Sequence, residues 1–193
     1  NLLVLLLMTM VAALVLGMGL PVTAVYLIVV VMIAPALIQM GVVPLAAHLF
    51  VFYFAIISNV TPPFALAAYA AAGIAKSDPM QTGFNAFRLA IAGFLVPFMF
   101  IYGPGLLLIG RPLDIALAIL SAMIGCMGLA AASVGFMLFP ISWIVRIVLL
   151  LASCLMMAQG VLTDAVGLAL ILSVVGSQFY YHKRAKRSKE GWR

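Results

Sequence analysis

The sequence predicts an all-α integral membrane protein, and its composition and its apolar runs carry that prediction. Hydrophobic residues fill 67% of the 193 positions and charged residues only 7%. The mean hydropathy is +1.33, far above the values of soluble domains. Several apolar runs approach or exceed the roughly 20 residues that a helix needs to cross the hydrocarbon core. We therefore expect membrane helices throughout the chain.

The first half of the chain contains short apolar runs separated by polar, proline-bearing breaks. GMGLPVT at 17–23 and SNVTPP at 58–63 leave apolar runs at 2–16, 22–38, 45–57 and 64–75. We expect 2–38 to form a re-entrant helical hairpin and 45–75 to form one crossing whose helix is broken near its middle. Broken helix ends inside a bilayer must line a cavity or bind a ligand, because lipid cannot satisfy their backbone groups. Secondary transporters use this architecture for binding.

The rest of the chain, from about residue 82, is expected to form about four ordinary transmembrane helices followed by a charged tail. The spans are expected at about 82–102, 115–139, 141–159 and 164–181. We assign 1–103 to one domain, 104–181 to an accessory bundle and 182–193 to a basic tail. The tail holds six of the ten Lys and Arg residues, which places it in the cytoplasm under the positive-inside rule. A basic segment beside a span indicates topology or lipid contact and not nucleic acid.

The first residue is Asn1, and an apolar run follows at once without an initiator Met or a signal peptide. We therefore interpret the chain as the C-terminal piece of a longer polypeptide. The two cysteines, Cys126 and Cys154, lie inside apolar runs without a CxxC partner. Such isolated cysteines are expected to be packing residues.

The break SNVTPP offers groups of both polarities. The incoming helix ends with unpaired carbonyls and partial negative charge, and the outgoing helix begins with free N–H groups and partial positive charge. We expect Thr61 to cap the outgoing helix, with Pro62 as its first residue and Pro63 directly after it. Ser58 and Asn59 would add side-chain oxygens beside the carbonyl end.

The break GMGLPVT is expected to form the tip of the hairpin. Gly17 and Gly19 permit the backbone geometry of a tight reversal. Pro21 would start the second arm, and Thr23 would provide a hydroxyl group. A simple kink repaired by neighbouring helices is the alternative interpretation of either break.

The acidic residues restrict the chemistry of these breaks, because all four fall in predicted loops or in the tail: Asp78, Asp114, Asp164 and Glu190. A proton relay and a tightly held divalent cation both require a carboxylate in the spans. Neutral oxygens favour a weakly bound sodium ion and no other metal or cofactor, and the positive helix starts favour an anionic substrate.

Two other classes of function are alternatives to a carrier. The chain has no HExxH, no GxSxG and no pair of intramembrane aspartates, so an enzyme is not expected. A structural or channel-forming bundle is compatible with the same sequence features.

Residues 16–102 resemble the end of the large membrane subunit of tripartite ATP-independent periplasmic (TRAP) transporters. The resemblance rests on GMGLPVTA at 17–24 and TPPFALAAYAAAGIA at 61–75, and it is greatest to the form in which the small and large membrane subunits are fused. Residues 111–193 are similar to a less specific C-terminal extension, to which we assign no transport chemistry.

The resemblance implies a sodium-driven importer in the bacterial inner membrane, working by an elevator-type mechanism without ATP. A periplasmic binding protein would deliver a small organic anion, commonly a carboxylate, to this permease, its N-terminal part and its small membrane subunit. The hairpin tip and the broken helix would then line the sodium and substrate site, with the residues Gly17, Gly19, Pro21, Thr23, Ser58, Asn59, Thr61, Pro62 and Pro63. A sodium-coupled anion carrier without a binding protein is the alternative.

Overall fold

The computed structural model describes residues 1–158 and 160–190, and for Val161 and residues 180–190 it describes the backbone alone. Over this part of the chain the fold is all-α, as predicted. The helices are α1 (Leu2–Gly17), α2 (Val22–Gln39), α3 (Pro44–Ile57), α4 (Leu66–Ala75), α5 (Pro79–Ala90), α6 (Val96–Tyr102), α7 (Pro112–Val134), α8 (Trp143–Met157) and α9 (Val161–Glu190). The side chains of the basic tail and residues 191–193 lie outside the described residues.

The chain divides into two compact units, with the boundary inside α7. The N-terminal unit is Asn1–Ile119, and the C-terminal unit is Leu120–Arg193. From the sequence we expect the boundary earlier, after residue 103. Four helical segments are long and apolar enough to cross a membrane: Val22–Gln39, Pro79–Tyr102, Pro112–Val134 and Leu162–Phe179. The described residues therefore have the helices of a multi-pass membrane protein.

The N-terminal unit is built on α1, α2 and α3, which pack on one another. Their shared core includes Leu6, Val25 and Phe50, each fully buried. Phe98 of α6 contacts Phe50 edge-on, with 5.2 Å between ring centroids. The bounds of α1 to α4 lie within two residues of the predicted runs, and α1, α3 and α4 are each shorter than a full crossing needs.

The expected span at 82–102 is interrupted in the structure. A 3-10 turn at Ile91–Phe94 separates α5 from α6. Pro97, at the start of α6, has no N–H to donate to the carbonyl of Gly93, so a regular α-helix cannot continue through this point. Pro79–Tyr102 remains long enough to cross a membrane as a whole.

The C-terminal unit packs α7, α8 and α9 through small residues. A Cβ atom added to Gly128 of α7 would lie 2.5 Å from the Ser153 hydroxyl, and one added to Gly167 of α9 would lie 2.8 Å from the Ala152 carbonyl oxygen. Ser121 adds a hydrogen bond of 2.6 Å to the carbonyl of Met156. Small residues at such crossings allow close approach of membrane helices.

Helix α7 ends at Val134, five residues before the predicted end. Gly135 has a positive φ of 83°, a conformation that glycine adopts without steric cost. The guanidinium of Arg146, in α8, turns back onto the end of α7. It donates to the carbonyls of Ala132 at 2.8 Å and Ser133 at 2.7 Å.

Helix α8 is shorter than the ordinary span that we expected at 141–159. Its 15 residues rise about 22 Å, which is less than the hydrocarbon core of about 30 Å. The residues between α7 and α8 form an irregular loop with a single bridge between Phe136 and Pro140.

Candidate functional site

The two predicted breaks meet at Gly17 and Ser58. Both residues are buried. A Cβ atom added to Gly17 would lie 2.5 Å from Ser58 Cβ and closer still to Ser58 Oγ. No other amino acid fits at position 17 without separating the hairpin tip from the broken helix.

The predicted reason for Gly17 and Gly19 was wrong. Neither residue has a positive φ, whereas Gly41, Gly110 and Gly135 do. Gly17 is required for space and not for backbone conformation. Gly19 has open space around its Cβ position and is exposed.

Pro21 and Thr23 lie at the exposed start of the second arm. Pro21 immediately precedes α2 as its N-cap residue and makes no side-chain capping hydrogen bond. The first N–H groups of α2 therefore keep their partial positive charge without a cap from this residue. Thr23, the second residue of α2, is exposed like Pro21 and Gly19.

The second break begins as a 3-10 turn at Ser58–Val60, directly after α3. Thr61 is extended, with φ −102° and ψ 118°, and the Pro62–Pro63 peptide bond is cis. Helix α4 begins only at Leu66, with Ala65 as its N-cap residue.

The prediction that Thr61 caps the outgoing helix and that Pro62 begins it is therefore wrong. A hydroxyl at that cap position would accept from the second or third helical N–H. With Thr61 as the cap, those two N–H groups would belong to Pro63 and Phe64. Proline has no N–H, so only the N–H of Phe64 would be available. Thr61 instead donates its hydroxyl proton backward to the carbonyl of Ile57 at 2.8 Å.

All three polar side chains of the second break bond to the end of α3. Ser58 Oγ donates to the Ala55 carbonyl at 2.7 Å, and Asn59 Nδ2 donates to the Ile56 carbonyl at 3.3 Å. With the Thr61 bond, these contacts satisfy carbonyls that we expected to be unpaired. A hydroxyl that donates its proton keeps its oxygen lone pairs, so Ser58 and Thr61 still have acceptor oxygens.

These two hydroxyls are almost fully enclosed by protein. Ser58 is 2% exposed and Thr61 is 9% exposed. Buried polar groups cost free energy unless they are hydrogen-bonded, and both are bonded through their protons. The break therefore contains two buried, uncharged hydroxyl groups whose oxygens can still accept hydrogen bonds.

Tyr69 is a residue of this region that the sequence analysis missed. Its hydroxyl donates to the carbonyl of Pro63 and also lies 3.8 Å from Met80 Sδ. A Cβ atom added to Gly83 of α5 would lie 3.0 Å from the Tyr69 ring. The available signal was a single tyrosine within an alanine-rich run, with a glycine in the following helix.

A cavity of about 320 Å³ lies behind the second break. Its lining is mainly apolar and includes Tyr53, Ile57 and Gly93.

On another part of α3, His48 Nδ1 lies 2.8 Å from the Tyr26 hydroxyl. This hydrogen bond links α3 to α2.

The acidic residues of the described chain lie at helix ends. Asp78 is the N-cap of α5 and accepts from the Gln81 N–H at 2.7 Å. Asp114 and Asp164 lie in the first turns of α7 and α9, and not in loops as predicted. Among the described residues there is no group of three or more His, Cys, Asp or Glu that could hold a metal ion.

The fold and the breaks define a class of protein, a multi-pass membrane protein with discontinuous helices of the kind that transporters use. Residues 1–115 match the family described as "Tripartite ATP-independent periplasmic transporter, DctM component". The match covers more than half of the chain and both breaks, and the chain belongs to this family. The family is that of the TRAP membrane permease, and it implies a periplasmic binding protein and a small membrane subunit as partners. No curated protein and no solved structure matches the chain.

Proposed function

We propose that this chain is part of a sodium-coupled importer of a small organic anion of the carboxylate class. The observation that carries the proposal is the contact between Gly17 and Ser58, because it joins the hairpin tip to the broken helix. Both elements have helix ends, and opposed helix ends provide opposite partial charges at short range.

The sodium site is proposed at the second break. The hydroxyl oxygens of Ser58 and Thr61 and the amide oxygen of Asn59 are neutral ligands, suited to a monovalent cation that must bind and leave. The Ala55 and Ile57 carbonyls accept these hydroxyl protons, which leaves the lone pairs of both hydroxyl oxygens as acceptors. The partial negative charge at the end of α3 adds to the attraction.

The anion is proposed to meet the helix starts. Neither Pro21 before α2 nor Ala65 before α4 makes a side-chain capping bond. Free N–H groups at a helix start favour a carboxylate by hydrogen bonding and by the helix dipole. Gly19 and Thr23 lie beside the first of these starts, and Pro62 and Pro63 precede the second.

The remaining parts of the proposal follow from the family. A periplasmic binding protein delivers the anion, and the N-terminal part of the permease with a small membrane subunit, fused to it, completes the site. We propose a re-entrant course for α1 and α2, an elevator-type movement without ATP, a location in the bacterial inner membrane and a cytoplasmic C-terminus. We propose no enzymatic activity and no cofactor besides the coupling ion.

The test is uptake by the full-length transporter in proteoliposomes with its binding protein. The probe is the labelled carboxylate that raises the melting temperature of the purified binding protein. Replacing Ser58, Asn59 and Thr61 together by alanine is expected to abolish sodium-driven uptake. Ser173→Ala is the matched control, because Ser173 Oγ makes the same type of bond, to the Leu170 carbonyl at 2.7 Å, outside the proposed site.

Each alternative has its own outcome in this assay. Unchanged sodium dependence in the triple variant would remove these residues from the ion site. Equal uptake without the binding protein would favour a carrier of another type. A sodium-independent conductance in the vesicles would favour a channel-forming bundle over a carrier.

A further inference from the structure

A cavity of about 450 Å³ lies in the C-terminal unit, beyond the residues matched by the family. Its volume is within the range of ligand pockets, about 300 to 1,000 Å³. It is bounded by the loop between α7 and α8, by the start of α8 and by α9 near Ser177. We refer to it as the α8–α9 cleft.

The α8–α9 cleft has an apolar side and a polar end. Phe139, Ile141 and Val145 provide apolar wall, whereas Ser177 and Gln178 of α9 are polar. Gln178 Oε1 accepts from the backbone N–H of Leu138 at 3.4 Å. The Ser177 hydroxyl donates to the Val174 carbonyl at 2.7 Å. A ligand that fits both parts must itself have an apolar and a polar portion.

The cleft lies where a membrane boundary is expected. Gln178 is at the end of the candidate span Leu162–Phe179. Trp143, at the start of α8, is 72% exposed, and the Arg146 guanidinium carbon lies 5.7 Å from its ring centroid. Exposed tryptophan is typical of the interface between hydrocarbon and water. An apolar wall beside a polar end matches the change from hydrocarbon to headgroups expected at this boundary.

The sequence adds positive charge just beyond the polar end. Helix α9 continues to Glu190, and the residues after Gln178 include the cations Lys183, Arg184, Lys186, Arg187 and Lys189. At 1.5 Å per residue, Lys183 is about 8 Å farther along the helix axis than Gln178. Clusters of Lys and Arg at the end of a membrane helix attract anionic lipid headgroups.

We propose that the α8–α9 cleft is a binding site for an anionic phospholipid. One acyl chain lies along Phe139, Ile141 and Val145, and the phosphate lies between Gln178 and the cationic end of α9. The cavity explains why a particular lipid is held at this place, and the charge explains why that lipid is anionic. The proposal does not depend on the transported substrate or on the coupling ion.

The test is photo-crosslinking of the full-length protein in phosphatidylcholine vesicles. The vesicles contain a trace of photoactivatable phosphatidylglycerol, or of photoactivatable phosphatidylcholine for comparison, and mass spectrometry locates the linked peptides. Val145→Trp fills the cleft and is expected to lower linkage of phosphatidylglycerol to the 139–145 segment at least tenfold, because a pocket filled by an indole has no space for a chain. Ile147→Trp, at a residue that is 44% exposed, is the matched control and is expected to retain it.

A second variant tests the charge without altering the cleft. Replacing Lys183 and Arg184 by glutamine is expected to reduce the preference for phosphatidylglycerol over phosphatidylcholine about 30-fold, since each cation near an anionic surface contributes about 1 kcal/mol. Equal linkage of the two lipids in the unmodified protein overturns the proposal, and so does an unchanged preference in this variant. Phosphatidylglycerol linked elsewhere than at the cleft overturns it as well.

Discussion

The ends of α3 and α7 face the same physical problem and solve it differently. Each helix stops with carbonyls that have no partner in the helix. At α3, in the N-terminal unit, neutral side chains donate to those carbonyls, with Ser58 and Thr61 as hydroxyl donors. At α7, in the C-terminal unit, the charged guanidinium of Arg146 does so.

The difference indicates where a cation from solution can bind. At α7 the positive charge is part of the chain, so a second cation would be repelled. At α3 the capping groups are neutral and keep oxygen lone pairs, so the negative end of the helix dipole is hydrogen-bonded but not neutralised. We infer that the capped end of α7 contributes to stability alone, whereas the end of α3 is also suited to reversible ion binding.

The largest expected effect comes from making the end of α3 resemble that of α7. Asn59→Lys places a fixed cation beside the Ile56 carbonyl. Two like charges about 4 Å apart repel by about 4 kcal/mol at an effective dielectric constant near 20. We expect the sodium affinity measured from uptake to fall more than about 100-fold. Asn85→Lys, at an exposed position of α5, should leave it unchanged, and equal effects of both variants would count against an ion site at this break.

The second expected effect concerns the end of α7. Arg146→Gln removes two charge-assisted hydrogen bonds and should lower the free energy of unfolding by about 3 kcal/mol. Thermal unfolding of the purified protein measures the loss, with Arg111→Gln, at an exposed position, as the control. The sodium dependence of the remaining uptake should not change. A shift in sodium affinity like that of Asn59→Lys would contradict the proposed division between the two ends.

A somewhat smaller effect is expected at the contact between the two breaks. Gly17→Ala forces the hairpin tip away from Ser58, and overpacking of this kind costs about 2 kcal/mol. We expect the uptake rate to fall by more than the loss of folding stability alone explains, because the hairpin tip and the broken helix no longer keep their relative positions. Gly73→Ala is the control, because a Cβ atom there has open space. The double change Gly17→Ala with Ser58→Gly should restore stability but not sodium dependence. Full uptake by Gly17→Ala would show that the contact is not required.

The smallest expected effect is at Tyr69. Tyr69→Phe removes one hydrogen bond, to the Pro63 carbonyl, which is worth about 1 kcal/mol. Because Tyr69 positions the segment between Thr61 and α4, we expect a few-fold loss of sodium affinity and little change in the maximal uptake rate. Tyr102→Phe, at an exposed position of α6, is the control. A fall in maximal rate at constant affinity would mean that Tyr69 has a different role.

The positions of both breaks could be predicted from the sequence, because proline and glycine act on the backbone locally. The local sequence pattern also predicted the bounds of α1 to α4 to within two residues. The direction of the Thr61 hydrogen bond was predicted wrongly, because a threonine hydroxyl can bond forward or backward along the chain and here donates backward to Ile57. The missing N–H of Pro63 is a sequence signal against a forward cap, since it removes one of the two N–H groups that such a cap would bind.

Contacts between distant residues could not be predicted. The Gly17–Ser58 contact depends on the packing of α1 against the end of α3, which no local pattern specifies. The early end of α7 was missed because the segment after Gly135 is as apolar as a membrane helix. The bond from Arg146 to Ala132 is what stabilises that end, and it links residues 14 positions apart.

Sodium binding at equilibrium tests the central claim most directly, because it requires neither substrate nor transport. The melting temperature of the purified full-length protein is measured in sodium and in potassium at equal ionic strength. We expect sodium alone to raise it in the unmodified protein and in Ser173→Ala, with the rise lost in Ser58→Ala. The same sodium-specific rise in Ser58→Ala would contradict a sodium site at the meeting point of the two breaks.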